Sequence, residues 1–125
     1  MAKINKKSIL MIGVKSSSRD SLASRLRLSG PNVEIASSGF HAMAMLEDPS
    51  NTFDYCLLYK SLGDLSTKEL ILNILTIESI NSPDILVMQD FNTKDEIEEI
   101  TNSGARAVFA TEIPFSDLIK KIELL

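Results

Sequence analysis

The fold of this chain is decided by residues 53–64, which read FDYCLLYKSLGD. The centre of this stretch, from Tyr55 to Tyr59, is apolar and lacks the polar alternation of a half-exposed strand. Such a run is typical of a central parallel strand with helices on both faces. Residues 60–64 then predict a loop before the next helix. Because ligands of open α/β sheets bind beyond the carboxyl ends of the strands, Tyr59 marks the first place to look for chemistry.

Outward from this strand, apolar runs alternate with segments of helical periodicity. Five β–α units in succession predict an α/β fold, a doubly wound five-stranded parallel sheet with five helices. The common order for five such strands is the flavodoxin-like order 2-1-3-4-5. The other strands are predicted at residues 8–14, 33–36, 85–88 and 107–110. The first helix is predicted from the serine loop 15–18 to Gly30-Pro31, and the second from Ser37-Ser38-Gly39 to Asp48-Pro49. The third follows a cap at Ser66 or Thr67. The fourth runs from Thr93 to Ser103 with Asn92 or Thr93 as cap, and the fifth follows Pro114.

The helix faces carry more specific predictions about burial. Helix 4 is polar apart from Ile97 and Ile100, so we expect it to pack lightly and to stay exposed. Gly104 is the residue type that commonly ends a helix, and it follows helix 4 directly. Apolar spacing places the buried positions at Leu22, Leu26 and Ser29 on helix 1 and at Leu70, Ile71, Ile74 and Leu75 on helix 3.

Length and composition limit the class of protein. A chain of 125 residues predicts one domain over residues 8–125, preceded by a loose basic lead-in at residues 1–7. The single cysteine, Cys56, excludes an internal disulfide and lies in the apolar run, which predicts a buried, inert thiol. No apolar stretch approaches the roughly 18 residues of a membrane span, and we therefore expect a soluble, cytoplasmic protein.

Charge is distributed unevenly along the chain. Residues 1–30 hold seven of the 13 lysines and arginines and one acid, Asp20, whereas the remainder holds sixteen of the 17 acids. The acidic body argues against nucleic-acid binding. The basic front is predicted to be a solvated tail and helix face, although it would also suit an acidic partner.

Several spacings resemble those of a known family. Helix 1 and strand 2 contain Leu22-x3-Leu26-x3-Gly30 and Val33-x-Ile35-Ala36, and helix 2 contains Gly39-x2-Ala42-x3-Leu46. Residues 53–58, FDYCLL, are similar to the YDLVLL that precedes the phosphoacceptor in that family, and Gly104-Ala105 leads into strand 5. In this order the motifs resemble a CheY-like response-regulator receiver domain over nearly the whole chain. The resemblance implies a role in bacterial-type two-component signalling.

The resemblance also implies where the functional residues of a receiver would lie, and each position holds another residue type. The acid pair that binds Mg²⁺ falls on Gly13 and Val14, followed by Lys15, and the phosphoacceptor aspartate falls on Tyr59, followed by Lys60. The Thr or Ser that ends strand 4 falls on Gln89, or on Met88 if the register shifts by one; the lysine after strand 5 falls on Thr111, and the switch aromatic falls on Val108.

These replacements predict a pocket without phosphoryl chemistry. Mg²⁺ takes oxygen ligands, including one or two carboxylates, which glycine and valine do not offer. A phenol cannot form an acyl phosphate, and Thr111 brings no charge to a transferring phosphate. Lys15 and Lys60 would repel a divalent cation. The nearby acids Asp54, Asp64 and Asp90 are weak substitutes, because the first lies at the wrong end of its strand and the others are expected to serve turns or caps.

The leading hypothesis is therefore a degenerate receiver, or pseudo-receiver. It would be a non-catalytic module without metal or cofactor that binds protein partners independently of phosphorylation. By resemblance, the contact surface is formed by helix 4, strand 5 and helix 5, and the same surface would serve a homodimer. Its candidate residues are Lys94, Asp95, Glu96, Glu98, Glu99 and Arg106, and a second candidate is the basic face of helix 1 with Arg25 and Arg27.

Two other classes of function are weaker alternatives. The loop from Gly13 to Ser18 could cradle a small anion or nucleotide at a helix N-terminus, as in a flavodoxin-like domain. However, serine-rich caps are common, and the chain contains no tryptophan to stack on a flavin ring. An enzyme has little support, because the single histidine, His41, is predicted on the surface of helix 2 without a paired nucleophile.

Overall fold

Strands and helices alternate strictly along the chain. The computed structural model describes residues 7–60, 62–77, 82–90 and 93–125, so most of the predicted lead-in and the alternative cap Asn92 lie outside the described residues. The strands are Ser8–Ile12 (β1), Asn32–Ala36 (β2), Tyr55–Tyr59 (β3), Asp84–Gln89 (β4) and Ala107–Ala110 (β5). The helices are Ser17–Leu28 (α1), Gly39–Glu47 (α2), Thr67–Leu75 (α3), Lys94–Ser103 (α4) and Phe115–Glu123 (α5).

The five strands form one parallel sheet in the order β2-β1-β3-β4-β5, which confirms the predicted topology. β3 lies at its centre, and all five of its residues are buried. Neighbouring strands are in a register that brings their carboxyl ends to one edge: Ile12 pairs with Leu58, Tyr59 with Met88, and Gln89 with Ala110. This edge is where an open parallel sheet presents its binding residues.

Side chains of β3 point alternately into two apolar layers, as the two-residue period of a strand requires. Tyr55, Leu57 and Tyr59 belong to the layer between the sheet and helices α1 and α5. Cys56 and Leu58 belong to the opposite layer, which contains residues of α2 and α3. Burial raises the pKa of the Cys56 thiol to about 12, so the predicted inert thiol agrees with the structure.

Hydroxyl side chains cap four of the five helices. Ser66 begins α3 as part of a capping box with Glu69, and Thr93 accepts the Glu96 N–H at the start of α4. Ser16 and Ser38 cap α1 and α2 in the same way. Each cap satisfies a backbone N–H that has no partner within the helix. The structure thus selects Ser66 over Thr67 and shows Thr93 as the cap of α4.

Three sequence predictions about local burial were wrong. β1 ends at Ile12, so Val14 lies in the following loop and is 47% exposed. Leu75 is 52% exposed, because it lies at the edge of the α3 stripe, about 100° around the helix from Ile74. On α1, Ser29 is the C-cap and not a core residue; the buried positions there are Arg19, Ala23 and Leu26.

The exposed helix α4 agrees with its prediction. No residue of α4 is buried, and Ile97 and Ile100 are its apolar positions. Gly104 ends the helix with φ 126°, a left-handed conformation that favours glycine. Within the described residues, no helix combines the length and hydropathy needed to cross a bilayer.

Candidate functional site

The sheet brings the positions singled out from the sequence to one edge. Gly13 directly follows β1, Tyr59 ends β3, Gln89 ends β4 and Thr111 directly follows β5. Because Ile12 pairs with Leu58, the next residues along these strands, Gly13 and Tyr59, are neighbours. Val108 lies further inside β5, where it is half-buried against the layer of α2 and α3.

Gly13 and Tyr59 are in direct backbone contact. A Cβ atom built on Gly13 would lie 2.6 Å from the Tyr59 carbonyl oxygen and 3.4 Å from the Tyr59 Cβ. Distances below 3.0 Å do not occur for real Cβ atoms, and the backbone carbonyl cannot rotate away as a side chain could. The position therefore has no room for any side chain, including a carboxylate.

Tyr59 occupies the centre of the edge as a core residue. Its side chain is 6% exposed and packs in the layer between the sheet and helices α1 and α5. A tyrosine in that environment contributes mainly hydrophobic burial.

The loop after β1 offers no metal ligand. Val14, Lys15 and Ser16 line a shallow cavity of about 140 Å³ together with Tyr59 and Lys60. Two of these five residues are cationic, and none carries a carboxylate. In the described part of the chain, no group of three or more His, Cys, Asp or Glu side chains is arranged to hold a metal ion. The residues at this edge do not fit Mg²⁺, which requires oxygen ligands in octahedral geometry.

A buried arginine lies below this loop. Arg19 is 5% exposed, and its guanidinium donates to the Gly13 carbonyl at 2.8 Å and to the Ser37 hydroxyl at 3.2 Å. It also forms a two-bonded ion pair with Asp20, at 2.8 and 3.0 Å. A guanidinium can satisfy several acceptors at once because its donors form a rigid planar fork. Arg19 thus ties the loop after β1 to the loop after β2.

Charge-assisted bonds connect the loops after β3, β4 and β5. The Asp90 carboxylate accepts the Thr111 hydroxyl at 2.6 Å and lies 3.5 Å from the Lys60 ammonium. The backbone of Lys60 adopts φ 59°, an uncommon left-handed conformation, and its N–H donates to the Met88 carbonyl at 2.8 Å. These bonds hold the loop after β3 against the end of β4. We call Lys60, Asp90 and Thr111 the edge network.

The edge network changes the acidity of its carboxyl group. Donation from the Thr111 hydroxyl is the main cause that lowers the pKa of Asp90 below its ordinary value; desolvation opposes it, and the nearby Lys60 charge adds a smaller lowering effect. The Lys60 and Asp90 side chains are both solvent-exposed, so water and salt screen this ion pair.

The other two acids near the edge also have structural partners. Asp64 accepts the N–H groups of Gly39 and Phe40 at 2.8 and 2.9 Å, and the bond from Phe40 is the main cause of its lowered pKa. It therefore caps α2 from the loop after β3, and the predicted capping role is confirmed. Asp54 accepts the Ser8 N–H at 2.8 Å at the opposite end of the sheet, as its place in the sequence predicted.

The Gly13–Ser18 loop gives no support to an anion site. The Ser16 hydroxyl already accepts the Arg19 N–H at 3.1 Å, and it lies 3.3 Å from the Ser18 hydroxyl. The loop thus satisfies its own helix terminus. His41 is exposed on α2, as predicted, where its Nδ1 accepts the Ser37 N–H at 3.4 Å.

The predicted contact surface on α4 is exposed, and one of its acids has a partner. Glu99 forms an ion pair with Lys68 of α3 at 3.3 Å. The other predicted surface, the basic face of α1, does not form one patch. The Arg25 guanidinium lies 4.3 Å from the ring centre of Phe115 on α5, whereas Arg27 donates to the Val33 carbonyl of β2. The exposed residues of the predicted contact surface are Lys94, Asp95, Glu96, Glu98 and Glu99 on α4, and Arg106 just before β5.

Two features of the edge were missed by sequence reasoning. Arg19 was assigned to a solvated face, although its spacing of four residues from Ala23 and seven from Leu26 places it on the buried stripe of α1. That spacing is a signal that could have identified it. The bonds between Lys60, Asp90 and Thr111 join three loops far apart in sequence, and no local pattern predicts them.

Because Gly13 has no room for a side chain, we expect an aspartate to destabilise the fold more at position 13 than at position 14. Gly13→Asp should lower the free energy of unfolding by about 1–3 kcal/mol, because the new side chain must displace the Tyr59 backbone. Val14→Asp should change it by less than about 0.5 kcal/mol, because Val14 is half-exposed. Urea denaturation of both variants would measure the difference. Equal stability of the two variants would contradict the closed contact.

The edge network predicts a pH dependence with a defined sign. Because the pKa of Asp90 is lower in the folded chain than in the unfolded one, its stabilising effect is present above about pH 4 and is lost as the pH falls through the folded value. Thr111→Val should raise the pKa of Asp90 in a carboxyl ¹³C NMR titration. Thr101→Val, which removes a hydroxyl bonded to the Ile97 carbonyl, is the matched control and should leave the Asp90 titration unchanged.

Comparison with known proteins identifies relatives by structure. No protein-family model matches the chain, and no curated protein sequence matches it. A CheY-like receiver domain protein from Methanospirillum hungatei JF-1 superposes with TM-score 0.81 at 22% identity, covering 95% of this chain and 92% of that one. A two-component response regulator from Clostridium difficile gives TM-score 0.84 at 20% identity, covering 95% and 94%.

A third solved structure contains a bound metal ion. The receiver domain of a sensor histidine kinase from Pseudomonas aeruginosa PAO1, with a magnesium ion coordinated in its active site cleft, gives TM-score 0.82 at 17% identity and covers 95% of this chain and 96% of that one. At these identities the likeness concerns the fold. This chain therefore has the CheY-like, flavodoxin-like fold of response-regulator receiver domains, with five parallel strands in the order 2-1-3-4-5.

Proposed function

We propose that this chain is a pseudo-receiver: a non-catalytic signalling module that acts through protein contacts, independently of phosphorylation and of Mg²⁺. The observation that carries this proposal is the contact between Gly13 and the Tyr59 backbone. It fills the place where a receiver needs a carboxylate, and the neighbouring phosphoacceptor position is filled by a buried phenol. The receiver fold supports a signalling role, since receiver domains are generally non-enzymatic signalling modules.

The charges at the edge support the same proposal. Phosphoryl transfer depends on cations that neutralise charge developing on the phosphate. Here two cations near the edge bind groups of the chain itself: Lys60 pairs with Asp90, and Arg19 binds Gly13, Ser37 and Asp20. The acids Asp64 and Asp90 accept hydrogen bonds from within the chain. These four charged groups thus already have structural partners.

The proposed contact surface is that of α4, β5 and α5. Asp95, Glu96 and Glu98 are exposed, and none has an ion-pair partner among the residues that the structure describes. A helix with no buried residue contributes little to the core, so its sequence is free to serve an external contact. The acids favour a partner with a basic surface, and Arg106 at the start of β5 would add a complementary charge in a homodimer.

The proposal that this edge binds neither Mg²⁺ nor a phosphoryl group is tested by an amide NMR titration of the chain. Mg²⁺ is added first and then beryllofluoride, which mimics a phosphorylated aspartate. We expect no saturable shift of the Gly13, Tyr59, Gln89 and Thr111 signals at millimolar metal. A receiver domain with an intact acid pair is the positive control and should shift in the same buffers.

Two results would contradict the proposal. One is a saturable shift at these four residues, which would mean that an acid at the edge holds metal and fluoride. The other is stoichiometric phosphorylation by acetyl phosphate that disappears in Asp64→Asn or Asp90→Asn.

Charge reversal tests the contact surface separately. Glu98→Lys and Arg106→Glu, each made alone, should weaken self-association in sedimentation velocity, because each leaves like charges facing each other across the proposed homodimer surface. Glu98→Lys should also reduce binding to any basic partner recovered with the unmodified chain. The melting temperature should stay the same, since both residues are exposed. Glu47→Lys, at the exposed end of α2, is the control. Unchanged association in both single variants would exclude this surface.

A further inference from the structure

A cavity of about 180 Å³ lies between α1 and α5, beside the carboxyl ends of β3 and β4. Its apolar wall includes Leu22, Met88 and Phe115. For comparison, an apolar protein cavity of about 150 Å³ holds one benzene ring. The space is therefore sufficient for a single aromatic ring with a small substituent. Of the Gly13–Ser18 loop that was considered for an anion, Ser18 lines this cavity, and Tyr59 lines both this cavity and the one beside Lys15.

Tyr59 contributes a polar group to this wall. The residue is 6% exposed and lines the cavity. Over residues 7–60, 62–77, 82–90 and 93–125, the Tyr59 hydroxyl has no hydrogen-bond partner within the chain. Within the same residues, no unpaired side-chain nitrogen or oxygen is sealed away from solvent, so the hydroxyl is accessible from the cavity. A ligand in the cavity would form a hydrogen bond with this hydroxyl in place of solvent.

Arg25 provides a charge on the same wall. Its guanidinium lies 4.3 Å from the ring centre of Phe115, which holds the charge beside the apolar surface. In the described part of the chain, no carboxylate lies within ion-pair distance of Arg25. Arginine binds carboxylates through paired N–H donors, so this cation is suited to an anionic group on a ligand.

We propose that this cavity binds a small aromatic carboxylate, with the ring against Leu22, Met88 and Phe115, the carboxylate on Arg25, and a polar group of the ligand on the Tyr59 hydroxyl. The alternative occupant is an aromatic side chain of a protein partner. Such a side chain fills the apolar space but brings no anion to Arg25, so the charge on the wall favours the small carboxylate. The inference does not depend on the proposed pseudo-receiver function, because ligand binding is measured directly.

The test is an amide NMR titration of the full chain with benzoate. Benzyl alcohol, which has the ring without the charge, and acetate, which has the charge without the ring, are the comparison ligands. We expect saturable benzoate shifts at Leu22, Tyr59 and Phe115, and binding at least about tenfold weaker for each comparison ligand, since each lacks one of the two groups that the cavity recognises.

Variants separate the two polar contacts. Arg25→Gln should weaken benzoate binding by roughly tenfold, and Tyr59→Phe, which keeps the ring in the core, by a few-fold. Lys120→Gln removes the same charge from an exposed position of α5 outside the cavity, and should leave the affinity unchanged. Since Arg25 is exposed, its variant reports on binding even if the Tyr59 variant folds poorly.

Three outcomes would overturn the proposal. The first is the absence of saturable benzoate shifts at tens of millimolar, roughly the weakest affinity expected of so small a ligand. The second is equal affinity of Arg25→Gln and the unmodified chain. The third is binding of N-acetylphenylalaninamide in place of benzoate, which would make the cavity a notch for a partner's side chain.

Discussion

The close approach of β1 and β3 at Gly13 and Tyr59 is the constraint on which the site depends. The central pair of strands is buried on both faces, so neither can shift away from the other without opening the core. A glycine at position 13 allows the Tyr59 carbonyl to lie where a side chain would begin. Tyr59 can then fill the space between β3 and helices α1 and α5. A glycine at position 13 and a tyrosine at position 59 are thus compatible with one packed sheet.

The polar groups around this contact bind one another. Arg19 joins the loops after β1 and β2, and the edge network of Lys60, Asp90 and Thr111 joins the loops after β3, β4 and β5. Fixed loops favour a rigid edge, whereas a phosphorylation switch needs an element with two arrangements of similar energy. The bonds of Asp90 and Lys60 are exposed and screened, so their effect is on loop position more than on global stability.

The sequence predicted the parts of this structure that follow from periodicity and missed those that depend on long-range contacts. The limits of β3 were correct to the residue, and the strand order followed from strict alternation. Leu75 was predicted to be buried but is exposed, because residue spacing alone does not show where the buried face of α3 ends. Arg19 was misplaced because charge outweighed spacing in the assignment, whereas its burial depends on acceptors supplied by Gly13 and Ser37. Because these acceptors lie outside helix α1, the local sequence pattern around Arg19 does not reveal its contacts.

The tyrosine at the end of β3 also shapes the neighbouring helix layer. Tyr59 extends into the layer between α1 and α5 and lines a cavity that contains Arg25 on its wall. The residue at the end of β3 therefore helps to form this cavity. Any group bound there would contact α1, α5 and the end of β4 together, and would bias their relative positions by its differential affinity for each arrangement.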